Sequence, residues 1–385
     1  MQQMGERTSI PHFAPPMHLC RPPAVSNQEE IIIIGAGLIG LCTADALTAR
    51  GAQVTVIEAQ PGPCEGTSFS NSGMIHPSQA VGWERQKDSS LDLRRARFDA
   101  AIVTARLAER SQDLLMQKMG ALGIPSRGAG CLQLHPDFET AKAAQAEYIK
   151  LGIQTDLRID PAETFGLPAC YFPNEASGNA RLFGCALAEE LAKRGVTFIY
   201  DAAAINIRQS QDQFFIRTSK GIRKSDHLVI AAGAASPECF ALLGVRLQLG
   251  SVAGAAADFL LPDDRSGLPL CPIMDVSSRS ALTVFDQHIR ISGGWHVSNP
   301  TTLVARWREI APDLMERLGL PLSTWSGVRP MSPLGRPYIS ATSIPNLWVN
   351  TGHGHMGWTL CAGSGELLAE LLIDGVQDRR FAFAG

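Results

Sequence analysis

Ile31-Ile32-Ile33-Ile34-Gly35-Ala36-Gly37-Leu38-Ile39-Gly40 is the stretch whose reading decides the fold. Four consecutive β-branched residues predict a strand buried on both faces, as in a parallel sheet. After the glycines comes a helical stretch, Leu41 to Arg50, ending at Gly51, and then a second strand, Val54-Thr55-Val56-Ile57, closed by Glu58. Strand, G-x-G-x-x-G, helix, strand and terminal acid stand in register, which is the whole β–α–β fingerprint of a dinucleotide-binding unit. Gly35 makes the tight turn and Gly37, between Ala36 and Leu38, lets the backbone approach a pyrophosphate. Gly40, after Ile39, lets the helix pack against the strand. The helix N-terminus offers unpaired N–H groups and positive potential to phosphates. Glu58 is placed to accept hydrogen bonds from ribose hydroxyls. This unit alone does not separate NAD from FAD.

Three further segments weigh toward a flavin nucleotide. Gly66-Thr67-Ser68-Phe69-Ser70-Asn71-Ser72-Gly73-Met74-Ile75 is a polar, glycine-flanked loop whose hydroxyls and N–H groups suit phosphate and ribityl oxygens. His227 to Ala234 reads as a buried strand running into small residues, Ala232 and Gly233 among them, against which a flat cofactor can lie. Leu347-Trp348-Val349-Asn350 is a short strand before Thr351-Gly352-His353-Gly354-His355-Met356-Gly357-Trp358-Thr359, a glycine-rich turn that opens a helix. In a flavin site such a helix N-terminus would stabilise negative charge on the reduced ring.

Bulk properties bound the rest. A chain of 385 residues can bury one large core or two modest ones. A net charge of −3 gives no electrostatic reason to expect nucleic acid or an anionic membrane as partner. The nine cysteines form no C-x-x-C pair, so no zinc or dithiol centre is encoded locally and no metal is expected. Scattered single cysteines fit reduced, buried thiols and a cytoplasmic location. No stretch reaches the apolar length of a membrane span, and residues 1–30 are expected to be a flexible tail without signal-peptide character.

The segments Ile31–Glu58, Thr67–Ile75, Leu228–Ala234, Trp325–Pro337 and Asn346–Leu368 together resemble the D-amino-acid oxidase/dehydrogenase superfamily of FAD-dependent oxidoreductases. The small subunit of bacterial D-amino-acid dehydrogenases is the branch matched best, and the last segment is the most specific. The resemblance implies an α/β fold with a Rossmann-type FAD-binding domain built on a parallel sheet, and an interleaved α+β substrate domain with a mixed sheet. The FAD domain would take residues 31–85, 170–245 and 326–380, and the substrate domain 86–169 and 246–325. Ala204 falls where relatives present a valine whose backbone reads the adenine.

The resemblance also implies the chemistry. A hydride leaves the substrate Cα for flavin N5, and the imine formed hydrolyses to a 2-oxo acid and ammonia, so neither a protein nucleophile nor a metal is required. Arg329, in Trp325-Ser326-Gly327-Val328-Arg329-Pro330, matches the arginine that clamps the substrate carboxylate, and His355 matches a position facing the substrate. His353 is assigned to backbone geometry, Trp295 and His296 to a side-chain pocket at the end of a strand. FAD is expected to be non-covalent, because Arg329-Pro330-Met331-Ser332 lacks the cysteine that carries flavin in some relatives. The partners implied are a small amino acid and a quinone, an electron carrier or O2, with peripheral contact at the inner face of the membrane left open.

Two departures touch the substrate domain. Beyond Trp83 the chain moves quickly to a helical segment where dehydrogenases carry a longer insertion. A glycine–tyrosine loop is replaced by Gly250-Ser251-Val252-Ala253-Gly254-Ala255-Ala256-Ala257. D-amino-acid oxidation leads. Glycine, sarcosine or cyclic imino acid oxidation and a flavin-binding subunit without turnover stand as alternatives.

Overall fold

The computed structural model describes residues 29–82 and 91–383. Residues 1–28, which make up most of the expected tail, and Trp83 lie outside them.

The isoleucine run forms the buried strand its composition demands. Glu30–Ile34 sits inside a six-stranded sheet ordered Tyr338–Ala341, Leu347–Thr351, His227–Ile230, Glu30–Ile34, Gln53–Ile57, Thr197–Ile199. Pairing is parallel throughout except for Tyr338–Ala341 on the edge. Alternate isoleucines enter different cores, as the two-residue period of a strand requires. Ile31 and Ile33 join Leu41, Leu107, Phe183 and Leu368 of the helices on one face. Ile32 and Ile34 join Phe214, Ile216 and Phe240 on the other, where Ala204–Ser210, Gln213–Thr218 and Gly221–Ser225 form a small antiparallel sheet.

The second large element is a mixed eight-stranded sheet. Its order is Ser323–Met331, Gly250–Leu260, His288–Gly293, Ser280–Val284, Ile273–Asp275, Cys131–Leu134, Ala169–Phe172, Asp156–Arg158. Only Ile273–Asp275 and Cys131–Leu134 pair in parallel. Its core packs Phe259, Ile289 and Ile291 against Trp307 and Leu314 of the helices Thr301–Ile310 and Pro312–Leu318. Ser280–Val284 and His288–Gly293 form a hairpin around Asp286-Gln287, closed by the Phe285 N–H on the His288 carbonyl at 2.8 Å.

The structure departs from the expected segments in four places. Ala169–Phe172 and Ser323–Met331 belong to the eight-stranded sheet rather than wholly to the nucleotide-binding part. The long helix Leu91–Ala121 packs Leu107, Ala108 and Leu115 into the first core, beside the parallel sheet. Gly250 to Ala257 is no loop but most of the strand Gly250–Leu260, hydrogen-bonded on both sides. Alanine and glycine are poor strand formers, and here two flanking strands override that preference.

The two sheets are joined through the Gly66–Ile75 loop. The Thr67 hydroxyl donates to the Val328 carbonyl at 2.7 Å and Thr283 to the Ser72 carbonyl at 2.7 Å. Arg290, gripped by both oxygens of Asp258 at 2.6 and 2.9 Å, donates to the Asn71 carbonyl at 3.2 Å. This loop therefore takes its shape from the sheet opposite.

Candidate active site

The C-terminal edge of the parallel strands, where helices begin and backbone groups point outward, is where α/β sheets bind ligands. A cavity of about 590 Å3 starts there, lined by Gly35, Gly37, Glu58, Ala204, Ala232 and Gly233. It extends to the eight-stranded sheet, where Gly254, Arg279, Ser292 and Arg329 line it. Leu38, Ile39, Thr67, Ser68, Asn71, Met74, Gly354, His355, Gly357 and Trp358 complete the wall among the residues expected from sequence.

Two of the three glycines are held by close backbone contact. Gly35 holds φ +111°, and a Cβ on Gly40 would lie 1.9 Å from the Gly35 carbonyl oxygen. That spacing admits no other residue, which is how the turn and helix stay close. Glu58 accepts the Ala36 N–H at 2.6 Å and the Gln60 N–H at 2.9 Å, so it also braces the turn. The Ser68 hydroxyl accepts the Leu38 N–H at 3.2 Å. Other expected residues support the wall from behind. Ile75 and Met356 are core residues, and the Thr359 hydroxyl accepts the His76 N–H at 3.2 Å. The Gly73 carbonyl accepts the Trp358 indole N–H at 3.2 Å.

Arg329 projects from the strand Ser323–Met331, and its Nη1 donates to the Gly294 carbonyl at 2.8 Å. Among the described residues no carboxylate pairs with it, and burial lowers its pKa to about 10, which leaves it charged at neutral pH. Room for the guanidinium comes from Gly254, where a Cβ would sit 2.4 to 2.6 Å from its outer atoms. Sequence reading gave no site role to Gly254 or to two other cavity residues, Arg279 and His76. His296 does not form a pocket wall: it is exposed, with φ +57°, while Trp295 lies under Arg279 and lines a second cavity of about 440 Å3. That cavity shares Gly354 and His355 with the first.

Three histidines line the large cavity, and burial keeps all of them neutral. His76 is lowered to about 4, His353 to about 3, and His355 to about 3, the last also by the positive charges of Arg329 and Arg279. His355 Nε2 lies 3.2 Å from the Gln79 carbonyl, which can only accept, so Nε2 carries the ring proton. Glu175, buried beside Ser78, is raised to about 7. These shifts carry a pH signature. A histidine with a depressed folded pKa takes up its proton in the unfolded chain first, so stability falls as pH drops from about 6.5 to 4. Glu175 acts in the opposite sense between about 4.5 and 7, but one carboxyl is outweighed by three imidazoles. The melting temperature should therefore decline steadily from pH 7 to pH 4.5, and a flat or rising profile would contradict the buried neutral histidines.

A Rossmann turn opening onto a cavity that ends at a mixed sheet defines a dinucleotide-binding protein with room for a second ligand. The chain belongs to the DAO family, described as FAD dependent oxidoreductase, whose model matches residues 30–371. It is 30% identical to D-amino acid dehydrogenase of Sinorhizobium medicae (strain WSM419) over 402 aligned positions, covering 90% of this chain and 96% of that one. Its fold is similar to that of glycine oxidase from Bacillus cereus ATCC 14579, with TM-score 0.75, 22% identity and 91% and 97% of the two chains covered. It is also similar to L-proline dehydrogenase from P. horikoshii, with TM-score 0.73, 21% identity and coverage of 91% and 94%. The protein is an FAD-binding oxidoreductase of the amino-acid dehydrogenase and oxidase family, acting on C–N bonds.

The cavity suits FAD. Small residues, Ala202 to Ala204 and Ala231 to Ala235, let backbone lie close to a flat group. Buried polar atoms of three wall residues, Ser70 Oγ, His76 Nδ1 and His353 Nε2, have no hydrogen-bond partner among the described residues, which a polar ligand would correct. Among the described residues no helix is long and apolar enough to cross a membrane.

Proposed function

We propose that the protein is a dehydrogenase that oxidises the Cα–N bond of a small amino acid, a D-amino acid in the leading reading. The observation that carries this is Arg329, a desolvated guanidinium on the cavity wall with no carboxylate to balance it among the described residues. A planar, permanently charged fork matches a substrate carboxylate.

Gly35, Gly37, Glu58 and the Gly66–Ile75 loop would hold FAD, with the turn at Gly354–Gly357 against its ring. FAD supplies the acceptor for the hydride that leaves Cα. The chain's own residues set up that departure. Arg329 fixes the carboxylate and so aims Cα. The positive charges of Arg279 and Arg329 in a partly dry site disfavour a substrate ammonium and favour the neutral amine, whose lone pair assists the loss of hydride. A neutral His355, protonated on Nε2, keeps its lone pair on Nδ1 and can accept a hydrogen bond from the substrate amine. The imine released hydrolyses to the 2-oxo acid and ammonia. Electrons pass on to a quinone, a carrier or O2, and we place the protein in the cytoplasm or at the inner face of the membrane.

The test is anaerobic bleaching of the flavin across D- and L-amino acids, glycine, sarcosine and proline. Fast bleaching by D-amino acids supports the leading reading. Bleaching confined to glycine, sarcosine or proline selects the oxidase alternatives, and none with any compound would leave a flavin-binding protein without turnover.

A further inference from the structure

In the Gly66–Ile75 loop the carbonyls of three consecutive residues, Asn71, Ser72 and Gly73, are each held by a donor from elsewhere in the chain. The Asn71 carbonyl accepts from Arg290 Nη1 at 3.2 Å, and the Ser72 carbonyl from the Thr283 hydroxyl at 2.7 Å. The Gly73 carbonyl takes the Gly178 N–H at 2.9 Å and the Trp358 indole N–H at 3.2 Å. The first two donors come from the Ser280–Val284 and His288–Gly293 hairpin. Its turn adds Phe285, whose ring lies so close to Gly73 that a Cβ there would fall 2.5 Å from it. Thr283, Phe285 and Arg290 are all buried.

The register explains why these donors arrive together. Thr283 stands opposite Arg290, and Arg290 opposite Asp258, so the three form one row across adjacent strands and share a face of the sheet. Asp258 grips the guanidinium with both oxygens, at 2.6 and 2.9 Å, which leaves Nη1 aimed at the loop. Two residues along the same face the next row is Ala281 and Ser292, and both line the large cavity. The row thus lies at the margin of the site, on the substrate side, yet its donors reach the loop opposite. A planar trans peptide sets its N–H opposite its C=O. With the Asn71 carbonyl drawn to Arg290, the Ser72 N–H is turned away from that sheet, and Ser72 lines the cavity.

We infer that Arg290 is a positioning residue for the cofactor, with Thr283 beside it: together they hold the Asn71–Gly73 backbone so that the Ser72 N–H is offered to the flavin. This rests on the reading above that the loop holds FAD. Release of FAD is followed on purified holoenzyme by the fluorescence of flavin freed on dilution, and the visible band of bound flavin is recorded alongside. Arg290→Met combined with Asp258→Asn, which leaves no unbalanced buried charge, should raise the FAD Kd roughly 10- to 100-fold and shift the band. Arg290→Lys keeps a charged donor and should lie between. Thr283→Val removes one hydroxyl and should raise the Kd roughly 2- to 10-fold, with the band moving in the same direction. It decides the question if the double variant does not fold. Parental affinity or an unmoved band in these variants overturns the inference, whatever their melting temperatures, and leaves the row as a joint between sheets. Gly73→Ala tests the loop itself, because its Cβ would strike the Phe285 ring. If Gly73→Ala loosens FAD while the Arg290 and Thr283 variants do not, the inference alone falls. If Gly73→Ala also binds FAD like the parent, the loop does not hold the cofactor and both readings fall.

Discussion

Arg329→Ala should keep its FAD and its fold while losing most amino-acid turnover. The guanidinium projects from an edge strand into the cavity, where its Nη1 donates to two backbone carbonyls, those of Gly294 at 2.8 Å and Ala253 at 3.5 Å. Breaking an arginine–carboxylate pair in a partly desolvated site costs on the order of 2–5 kcal/mol, a fall of roughly 30- to several-thousand-fold in kcat/KM. Because the same contact aims Cα, kcat should drop together with affinity. Arg329→Lys should recover only part, since an ammonium supplies charge without the fork. Gly254→Ala offers an independent route to the same loss, because its Cβ would displace the guanidinium from 2.4–2.6 Å away. Added to Arg329→Ala it should cost little more, since the group it displaces is already gone. Steady-state kinetics with flavin content and melting temperature measured alongside decide the matter. Parental turnover in Arg329→Ala would place the carboxylate elsewhere, and loss of flavin or fold would make Arg329 part of the scaffold.

The nucleotide-binding end of this site was legible in the sequence because its determinants are local. Gly35, Gly37 and Gly40 act within one turn, and the strand that precedes them announces itself by four β-branched residues. The substrate end was legible only in part. Arg329 stood out within a motif, but the residue that makes room for it, Gly254, lies in an alanine-rich run that reads as irregular until it is seen paired with Ser323–Met331. Arg279 and Arg329 are 50 positions apart and meet through Gly294, a contact that no spacing rule encodes. The Gly66–Ile75 loop shows the same limit. Its hydroxyls suggested a ligand, whereas Thr67 is spent on the Val328 carbonyl and Asn71 on the Gly73 N–H at 2.8 Å. Side chains recruited by tertiary pairing leave no periodic trace in the chain.

Gly37→Val should abolish FAD binding without unfolding the protein, and the geometry separates it from its two neighbouring glycines. Gly37 has φ −74° and ψ 176°, ordinary extended values that valine adopts freely. A Cβ there would meet only the Ser68 hydroxyl, at 3.2 Å. The branched methyls would instead occupy the space a pyrophosphate needs at the start of the helix Leu38–Thr48. Gly40→Val is different in kind, since its Cβ would collide with the Gly35 carbonyl at 1.9 Å and force strand and helix apart. Acid precipitation of the parent protein should release FAD, in keeping with non-covalent attachment. The same treatment of Gly37→Val should release less than about a tenth as much, with circular dichroism and a cooperative melt retained. Gly40→Val should lose flavin and cooperative melting together. A chromophore that stays with the precipitated parent chain would overturn non-covalent attachment. Parental FAD content in Gly37→Val would mean that the pyrophosphate does not lie against this turn.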